Sequence, residues 1–187
     1  AIDDAIKQHP AYVGIQALTP NRHRALDLAK KAKALSPQSQ IIMGGVHPTI
    51  MPEQIKSYAF VDHVVKGEGE LGIMSIAKGG EAVEAQMDID SIPEPAWEKV
   101  NLKRYPARGR TKYDFGRVNG VWVHFEPRVS VIFSRGCPAH CSFCSTWWIW
   151  KKYRVREPQL MVDELGNLVE RWKVRHFAFA DDVFSID

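Results

Sequence analysis

The first 80 residues alternate between short apolar runs and segments with helical periodicity. The apolar runs, which we interpret as strands, cover residues 12–17, 40–43 and 61–65. Between them, Asn21 caps a helix with apolar positions on one face, and residues 52–58 form a shorter helix. Strands that alternate with helices predict a parallel sheet with helices on both faces, so we expect an α/β domain.

The segments that follow these strands are polar or rich in glycine. Ligands of such sheets bind outside the carboxyl ends of the strands, and paired glycines let the backbone approach a ligand closely. We therefore interpret these segments as ligand-binding loops. The candidate contacts are Gln16, Leu18, Thr19, Gly44, Gly45, His47, Thr49, Gly67, Glu68, Gly69 and Glu70.

A second α/β pattern occupies the end of the chain. Residues 129–134 form an apolar strand, Pro158 suits the first turn of an amphipathic helix, and residues 176–180 form a strand that ends at Asp181 and Asp182. This order is the first strand–helix–strand unit of a (β/α) barrel, whose active sites lie at the carboxyl ends of the strands.

The connecting segment shows no catalytic constellation. Prolines exclude a regular helix at residues 92–97. Residues 108–120 are polar and rich in glycine, which predicts a loop, and residues 121–125 predict a short strand or hairpin arm. The sequence thus predicts three parts, at residues 1–80, 81–128 and 129–187.

All cysteines of the chain lie in one loop directly after the strand at residues 129–134. Cys137, Cys141 and Cys144 have the spacing Cys-x3-Cys-x2-Cys, so three thiolates can converge on one inorganic centre. A 4Fe–4S cluster that only transfers electrons normally takes four cysteine ligands. With three, one iron keeps an open position that can bind and activate a substrate or cofactor.

Other interpretations of the cysteines stay open. A zinc knuckle would take His140 as its fourth ligand, although zinc ligands more often come as two separated pairs, and His140 is adjacent to Cys141. Unrelated thiols can also pack in a core. The odd number of cysteines argues against a disulfide framework.

The composition limits the class of function. The chain has 187 residues, 45% hydrophobic and 25% charged, as expected of a soluble globular protein. A net charge of +3 is too small to indicate a nucleic-acid partner, and no apolar run approaches the ~20 residues of a membrane helix. Reduced thiols and an oxygen-sensitive cluster predict a cytoplasmic protein.

The two ends of the sequence predict a piece of a longer protein. The chain begins at Ala1 within a helical pattern and stops at Asp187 just after a strand. We expect that the first domain lacks its first strand and that the barrel is truncated.

The cysteine motif, with Phe143 just before its last cysteine, resembles the radical SAM superfamily. The resemblance implies a 4Fe–4S cluster whose open iron chelates S-adenosylmethionine (SAM) and, when reduced, cleaves it to a 5′-deoxyadenosyl radical. It implies that Phe143 lies near the adenine. It also implies that Asp181 or Asp182 accepts hydrogen bonds from the SAM ammonium, with a turn or helix cap as the alternative role.

The glycine loops resemble the cobalamin-binding Rossmann-like domain that precedes many radical SAM domains. The motifs are Gly-Gly-x-His-x-Thr at residues 44–49 and Val-x-Gly-Glu-Gly-Glu at residues 65–70. The resemblance implies that cobalamin lies along these loops. Many such domains carry an Asp-x-His-x-x-Gly loop with a cobalt ligand, which this chain lacks. We therefore expect His47 to bond to backbone in its loop, with cobalt ligation as the alternative.

The run from Cys141 to Pro158 is similar to the anaerobic magnesium-protoporphyrin IX monomethyl ester cyclase branch of this family. Its tryptophans Trp147, Trp148 and Trp150 can wall a pocket for a flat apolar substrate or pack under the cluster.

Arg154 and Arg156 alternate in an extended segment, so both point one way. Their guanidinium groups suit a carboxylate or phosphate of a cofactor; a solvated basic strand is the alternative. The segment Asp-Asp-Val-Phe at residues 181–184 departs from the cyclase pattern and resembles the broader methyltransferase-like set.

Together the resemblances imply a cobalamin-dependent radical SAM enzyme that transfers a methyl group to an unactivated carbon, with porphyrin ring cyclisation as the alternative. They imply a small-molecule substrate, such as a porphyrin or another apolar metabolite, and an external electron donor such as flavodoxin or ferredoxin. An alternative of another class is a non-catalytic module that binds a corrinoid or a metal. Methylthiotransferases of this superfamily carry further cysteines, which are absent.

Overall fold

The computed structural model describes residues 2–100, 115–118, 121–124, 128–184 and 186. Its chain divides into two compact units. The first unit comprises residues 1–87 and 139–151, and the second comprises residues 88–138 and 152–187. The segment that follows Pro138 and carries Cys141 and Cys144 therefore belongs to the first unit.

A parallel three-stranded sheet forms the centre of the first unit. Its strands are β1 (Tyr12–Gln16), β2 (Gln40–Gly44) and β3 (His63–Val64), with β2 in the middle. The register places Gly14 beside Ile42 and Ile42 beside His63. Parallel strands need long crossover connections, and helices supply them here. The predicted α/β architecture is confirmed.

Helices cover both faces of this sheet. They are α1 (Ile2–Ile6), α2 (Arg22–Leu35), α3 (Val46–Ile50), α4 (Pro52–Lys56) and α5 (Gly69–Ala77). A further helix of this unit, α6 (Thr146–Trp150), contacts α3. The apolar face of α2 packs in a core with Ile41 and Met43. Ile42 points to the opposite face and forms a second core with Val65 and Ile76 of α5. Alternate residues of β2 thus face different helices.

The second unit contains a strand–helix–strand core. Strands β4 (Phe115–Val118) and β5 (Val121–His124) pair antiparallel. Strand β6 (Arg128–Val131) pairs in parallel with β9 (His176–Phe179), and β7 (Ser134–Arg135) pairs antiparallel with β8 (Arg154–Val155). Helix α7 (Pro158–Trp172) connects β8 to β9 and begins with proline in its first turn, as predicted. Leu168 of α7 packs on Val129, Val131 and Phe133.

The strand predicted at residues 129–134 is interrupted. The ladder with β9 ends at Val131, and the backbone N–H groups of Phe133 and Ser134 donate to the side chain of Asp181 instead of to a neighbouring strand. The unit of β6, α7 and β9 has the predicted order, and the remainder of a barrel stays a prediction. The loop predicted at residues 108–120 is wrong at residues 115–118, which form strand β4, and residues 108–114 and 119–120 lie outside the described residues.

None of the helices in the described part of the chain has the length and apolarity needed to cross a bilayer.

Candidate functional site

A cavity of about 370 Å³ opens at the carboxyl ends of the parallel strands of the first unit. Half of its lining residues are glycines, so its wall is largely backbone and a ligand can approach closely. The lining residues are Gly14, Ile15, Gln16, Ile42, Gly44, Gly45, Val65, Gly67, Gly69 and Ile73. The structure thus brings together members of all three loops that the sequence analysis selected.

Gly45 is held in a backbone conformation that favours glycine, with φ at +99°. A Cβ atom there would lie 2.9 Å from Cγ of Gln16 and 3.0 Å from the carbonyl oxygen of Ala17. The same carbonyl accepts a hydrogen bond from the backbone N–H of His47 at 3.0 Å. The close approach of the first two loops therefore depends on the missing side chain at Gly45.

Thr49 connects the second loop to the third. Its Oγ1 donates to the carbonyl oxygen of Gly45 at 2.7 Å and accepts from the backbone N–H of Gly67 at 2.9 Å. Residues 46–50 were expected to be a loop, but they form the short helix α3, which places the Thr49 side chain one turn beyond Gly45. Thr49 thus has a clear structural role beside the cavity.

His47 is buried, with 4% of its surface exposed. Its Nδ1 lies 3.2 Å from Oγ1 of Thr19. Its Nε2 is buried without a hydrogen-bond partner among the described residues. The ring thus contacts the Thr19 side chain where a bond to backbone was expected, and the choice between a structural histidine and a cobalt ligand stays open.

The other loop residues lie at the ends of short elements. The backbone N–H of Leu18 donates to Oδ1 of Asn21 at 2.8 Å, which closes the turn before α2. Glu68 is buried at the N-cap of α5, and Glu70 lies in the first turn of that helix. Carboxylates at a helix N-terminus interact favourably with the helix dipole.

The three cysteines of the loop are partly accessible. Cys137 and Cys144 are half-buried, Cys141 is exposed, and none of the three forms a disulfide. The backbone N–H of Cys144 donates to the carbonyl oxygen of Cys141 at 3.0 Å, which makes a tight turn. Thiols of this accessibility are suitable donors for an iron–sulfur cluster. Among the described residues, however, no three His, Cys, Asp or Glu side chains are grouped as metal ligands.

The aromatic residues around the cysteines form stacked pairs. The ring of His140 lies edge-on to Trp147, with centroids 5.8 Å apart, and Trp147 lies 4.3 Å from Trp148. Phe143, in contrast, is 91% exposed. Within the first unit, Phe143 and Trp148 line a further cavity of about 640 Å³, which also has Ile50, Lys66, Glu84 and Lys151 in its wall.

The two candidate aspartates in the second unit have different surroundings. Oδ1 of Asp181 accepts hydrogen bonds from the backbone N–H of Phe133 at 2.8 Å, from Oγ of Ser134 at 2.7 Å and from the backbone N–H of Ser134. Its Oδ2 is buried without a partner in the described part of the chain. Asp182 is exposed. A contact of either residue with SAM stays a prediction.

The guanidinium of Arg156 binds a carboxylate of its own unit. Nη1 donates to Oε2 of Glu164 at 2.7 Å, and Nη2 donates to the carbonyl oxygen of Ile92 at 3.3 Å. Burial raises the pKa of Glu164, and Arg156 only partly offsets this effect. Arg154 is half-buried in β8. The sequence analysis did not select Glu164. A carboxylate next to the apolar positions of an amphipathic helix indicates a buried charged group and could have identified it.

Comparison with known proteins agrees with these features. Residues 1–77 match the family model of the B12 binding domain. Over 92% of its length, the chain is 31% identical to the anaerobic magnesium-protoporphyrin IX monomethyl ester cyclase of Rubrivivax gelatinosus, and the match covers 34% of that protein. It is also 30% identical to the hopanoid C-3 methylase of Methylococcus capsulatus, over 80% of the chain and 30% of the methylase.

A third relative is also a methyltransferase by name. It is the bacteriochlorophyllide d C-12(1)-methyltransferase of Chlorobaculum tepidum, with 29% identity over 92% of the chain and 36% of the relative. The chain spans about a third of the length of these curated relatives. The fold is an α/β domain with a cavity at its strand ends, and residues 1–77 of it match the B12 binding domain family. The predicted cobalamin-binding domain is confirmed, and the relatives are cyclases and methyltransferases.

The cavity at the strand ends fits cobalamin in two respects. A Cβ atom at Gly45 would lie 2.9 Å from Cγ of Gln16 and 3.0 Å from the carbonyl oxygen of Ala17, so glycine at this lining position lets the first two loops approach each other. His47 follows the lining residue Gly45 by two positions, and its buried Nε2 has no hydrogen-bond partner among the described residues, so a ligand near these loops could satisfy it.

Proposed function

We propose that this chain is part of an enzyme that uses cobalamin, SAM and a 4Fe–4S cluster to transfer a methyl group to an unactivated carbon of a small molecule. The glycine-lined cavity within the B12 binding domain carries the proposal. The cysteine loop adds to it, because all three thiols are free of disulfides and are followed by an aromatic cavity wall.

The loops of the first unit would hold cobalamin through backbone groups. Gly45 lets the first two loops approach each other, and Thr49 connects Gly45 to Gly67, so the cradle is formed before a ligand enters. A preformed cradle reduces the ordering cost of binding. The buried Nε2 of His47 is available to bond to the cofactor.

Cys137, Cys141 and Cys144 would hold the cluster. When bound, such a cluster with SAM supplies a 5′-deoxyadenosyl radical, and cobalamin supplies a methyl group. In this proposal Phe143 lies beside the adenine, and Asp181 or Asp182 orients the SAM ammonium. An external donor such as flavodoxin or ferredoxin would deliver the electron in the cytoplasm.

Ring cyclisation of a porphyrin is a second candidate function. The observation that favours it is the 31% identity to a magnesium-protoporphyrin IX monomethyl ester cyclase over most of the chain. The two candidate functions use the same proposed cofactor-binding residues. They differ in what happens to the radical that forms on the substrate.

Electron paramagnetic resonance of anaerobically reconstituted protein tests the proposal. After dithionite reduction we expect a four-iron signal that shifts when SAM is added, and the absorption of bound aquocobalamin after gel filtration. Cys141→Ser should abolish the iron signal, and Ser142→Ala, one residue further along, serves as the matched control. A four-iron signal that does not change when SAM is added would indicate a structural or redox centre. A colourless protein that holds zinc would indicate a non-catalytic binding module.

A further inference from the structure

The irregular segment that follows α5 is anchored on the cobalamin-binding domain. Ala82 packs against the core that Val65 and Ile76 help to form. Gly72 of α5 lets the segment approach closely, because a Cβ atom there would lie 3.2 Å from the carbonyl oxygen of Val83. Residues 82 and 83 therefore have a fixed position on the domain, and the side chains directly after them extend from a defined point.

Two side chains of this segment bind the end of α6. Nε2 of Gln86 donates to the carbonyl oxygen of Trp150 at 2.5 Å, and the ammonium of Lys151 donates to the carboxylate of Glu84. The last carbonyl groups of a helix have no partner within it, so Gln86 satisfies one of them. Helix α6 has five residues, and a helix shorter than about 12 residues is marginally stable by itself in water. Contacts of this kind therefore determine where α6 lies.

Glu84 also connects α6 to the third loop of the cobalamin cavity. Its carboxylate accepts from Lys66 at 2.5 Å as well as from Lys151. These hydrogen bonds lower the pKa of Glu84, so the carboxylate is ionised at neutral pH. Lys66 precedes Gly67, which lines the cavity, and a Cβ atom at Gly67 would lie 3.7 Å from the carbonyl oxygen of Ile149. The third loop and α6 are thus in contact and share one carboxylate.

Helix α6 follows the turn in which the backbone N–H of Cys144 donates to the carbonyl oxygen of Cys141. We propose that Glu84 and Gln86 are positioning residues that couple the cobalamin cavity to this turn. A ligand that orders the third loop would restrain α6 and the cysteines before it, because the shared carboxylate joins the two segments. Such coupling is reciprocal, so restraint of the turn would also favour cobalamin binding. The inference rests on the proposed function for the statement that the turn holds a cluster.

Hydrogen exchange of the whole chain, measured by mass spectrometry with and without saturating aquocobalamin, tests the proposal. In the wild type we expect cobalamin to slow exchange at residues 145–151 about fivefold, the lower end of typical couplings between sites. Without cobalamin, Glu84→Gln should speed exchange there about twofold, as for loss of partly exposed ion pairs, and Gln86→Leu about fivefold, as for one lost hydrogen bond. In both variants the slowing by cobalamin should fall below about twofold.

Two further variants and one internal reference complete the design. Glu81→Gln, at an exposed position of the same segment, should leave exchange unchanged with and without cobalamin. Glu84→Asp keeps the negative charge and should retain more of the slowing than Glu84→Gln. Exchange of α2 reports on the stability of the fold and should be equal in all of these proteins.

Equal exchange at residues 145–151 in the wild type, Glu84→Gln and Gln86→Leu would overturn the proposal. The same change in Glu81→Gln, or an acceleration that extends to α2, would also overturn it. If exchange were faster in the variants but cobalamin did not slow it in the wild type, the two side chains would be structural contacts only, and the coupling would be wrong.

The exchange measurements need neither iron nor SAM, so they can fail independently of the proposed function. Slowing by cobalamin that requires Glu84 and Gln86, in a protein that assembles no cluster, would support the coupling and overturn the proposed function. A four-iron signal that shifts with SAM, in a protein whose exchange does not respond to cobalamin, would overturn the coupling alone.

Discussion

Asp181, just after β9, accepts a hydrogen bond from the side chain of Ser134 in β7, with 2.7 Å between Oδ1 and Oγ. The same oxygen accepts the backbone N–H groups of Phe133 and Ser134, both of which are buried. One carboxylate oxygen therefore fixes the backbone that leads into the cysteine loop at Cys137. Asp181 is a positioning residue for this loop, whether or not its second oxygen also contacts a cofactor.

Substitution of Asp181 should destabilise the fold, because it leaves buried donors without an acceptor. We expect Asp181→Ala to lower the free energy of unfolding by about 3 kcal/mol, and Asp181→Asn, which keeps an acceptor oxygen, by about 1 kcal/mol. Asp182→Ala, at the neighbouring exposed position, should change it by less than about 0.5 kcal/mol. Urea denaturation followed by circular dichroism measures all three. Equal losses for Asp181→Ala and Asp182→Ala would contradict the positioning role.

Gly45→Ala should damage both the fold and the cobalamin site. The backbone of Gly45 is left-handed, and the added Cβ atom would lie only 2.9 Å from Cγ of Gln16. We therefore expect a loss of about 1–3 kcal/mol in the free energy of unfolding. Because the strain separates the first two loops, we expect aquocobalamin binding to weaken at least about tenfold, which corresponds to 1.4 kcal/mol. Gel filtration with absorbance detection measures binding.

Gly166→Ala is the matched control for Gly45→Ala. Gly166 lies within α7, and a Cβ atom there would meet no atom within 4 Å. This substitution should raise the free energy of unfolding by about 0.5–1 kcal/mol and leave cobalamin binding unchanged. Unimpaired cobalamin binding by Gly45→Ala would show that the cofactor does not use the cavity at these loops.

His47 offers a test of how the cofactor is held. If Nε2 bonds to the periphery of cobalamin, His47→Ala should lower its affinity about fivefold to tenfold, as for one lost hydrogen bond of about 1–1.5 kcal/mol. The paramagnetic resonance of bound cob(II)alamin should be the same in wild type and variant. Nitrogen splitting that is present in the wild type and disappears in His47→Ala would instead identify this histidine as a cobalt ligand.

The Thr19→Val variant separates the structural role of the ring from its ligand role. It removes the partner of Nδ1 and leaves Nε2 unchanged. We expect a smaller loss of cobalamin affinity than in His47→Ala. A larger loss in Thr19→Val would mean that the Thr19 hydroxyl itself contacts the cofactor.

The local pattern of the sequence was sufficient to predict the central elements of both units. Apolar runs of strand length predicted β1 and β2, and the position of Pro158 predicted the start of α7. Short helices were harder to predict: α3 spans Val46–Ile50 and contains a proline, so its propensity is weak and tertiary contacts decide its form.

Side-chain pairs between distant segments could not be predicted from the sequence. Lys151 and Glu84 are 67 positions apart, and periodicity within a helix or strand carries no information about such a contact. The place of Glu164 beside the apolar positions of α7 is a signal for a buried carboxylate. Its partner Arg156 lies outside α7, directly after β8, so the helical pattern does not identify the pair. The glycine loops were predicted because ligands of parallel sheets bind at one known edge.

The buried pair of Arg156 and Glu164 should make stability depend on pH in an unusual direction. Burial is the main cause of the raised pKa of Glu164, and Arg156 offsets it incompletely. The folded state therefore binds the proton more tightly than the unfolded state, whose ordinary value is 4.5. The contribution of this group to stability is complete below that pH and is lost as the pH rises through the folded-state pKa.

Comparison of wild type with Glu164→Gln isolates this contribution. The difference in the free energy of unfolding, wild type minus variant, should decrease as the pH rises above 4.5 and through the folded-state pKa, because only the wild type carries the titrating carboxyl. Glu170→Gln, at an exposed position of the same helix, should change stability by less than about 0.5 kcal/mol. Urea titrations at several pH values measure both variants. If the difference increased with pH, the attraction of Arg156 would outweigh the cost of burying the charge, and the ion pair would stabilise the second unit at neutral pH.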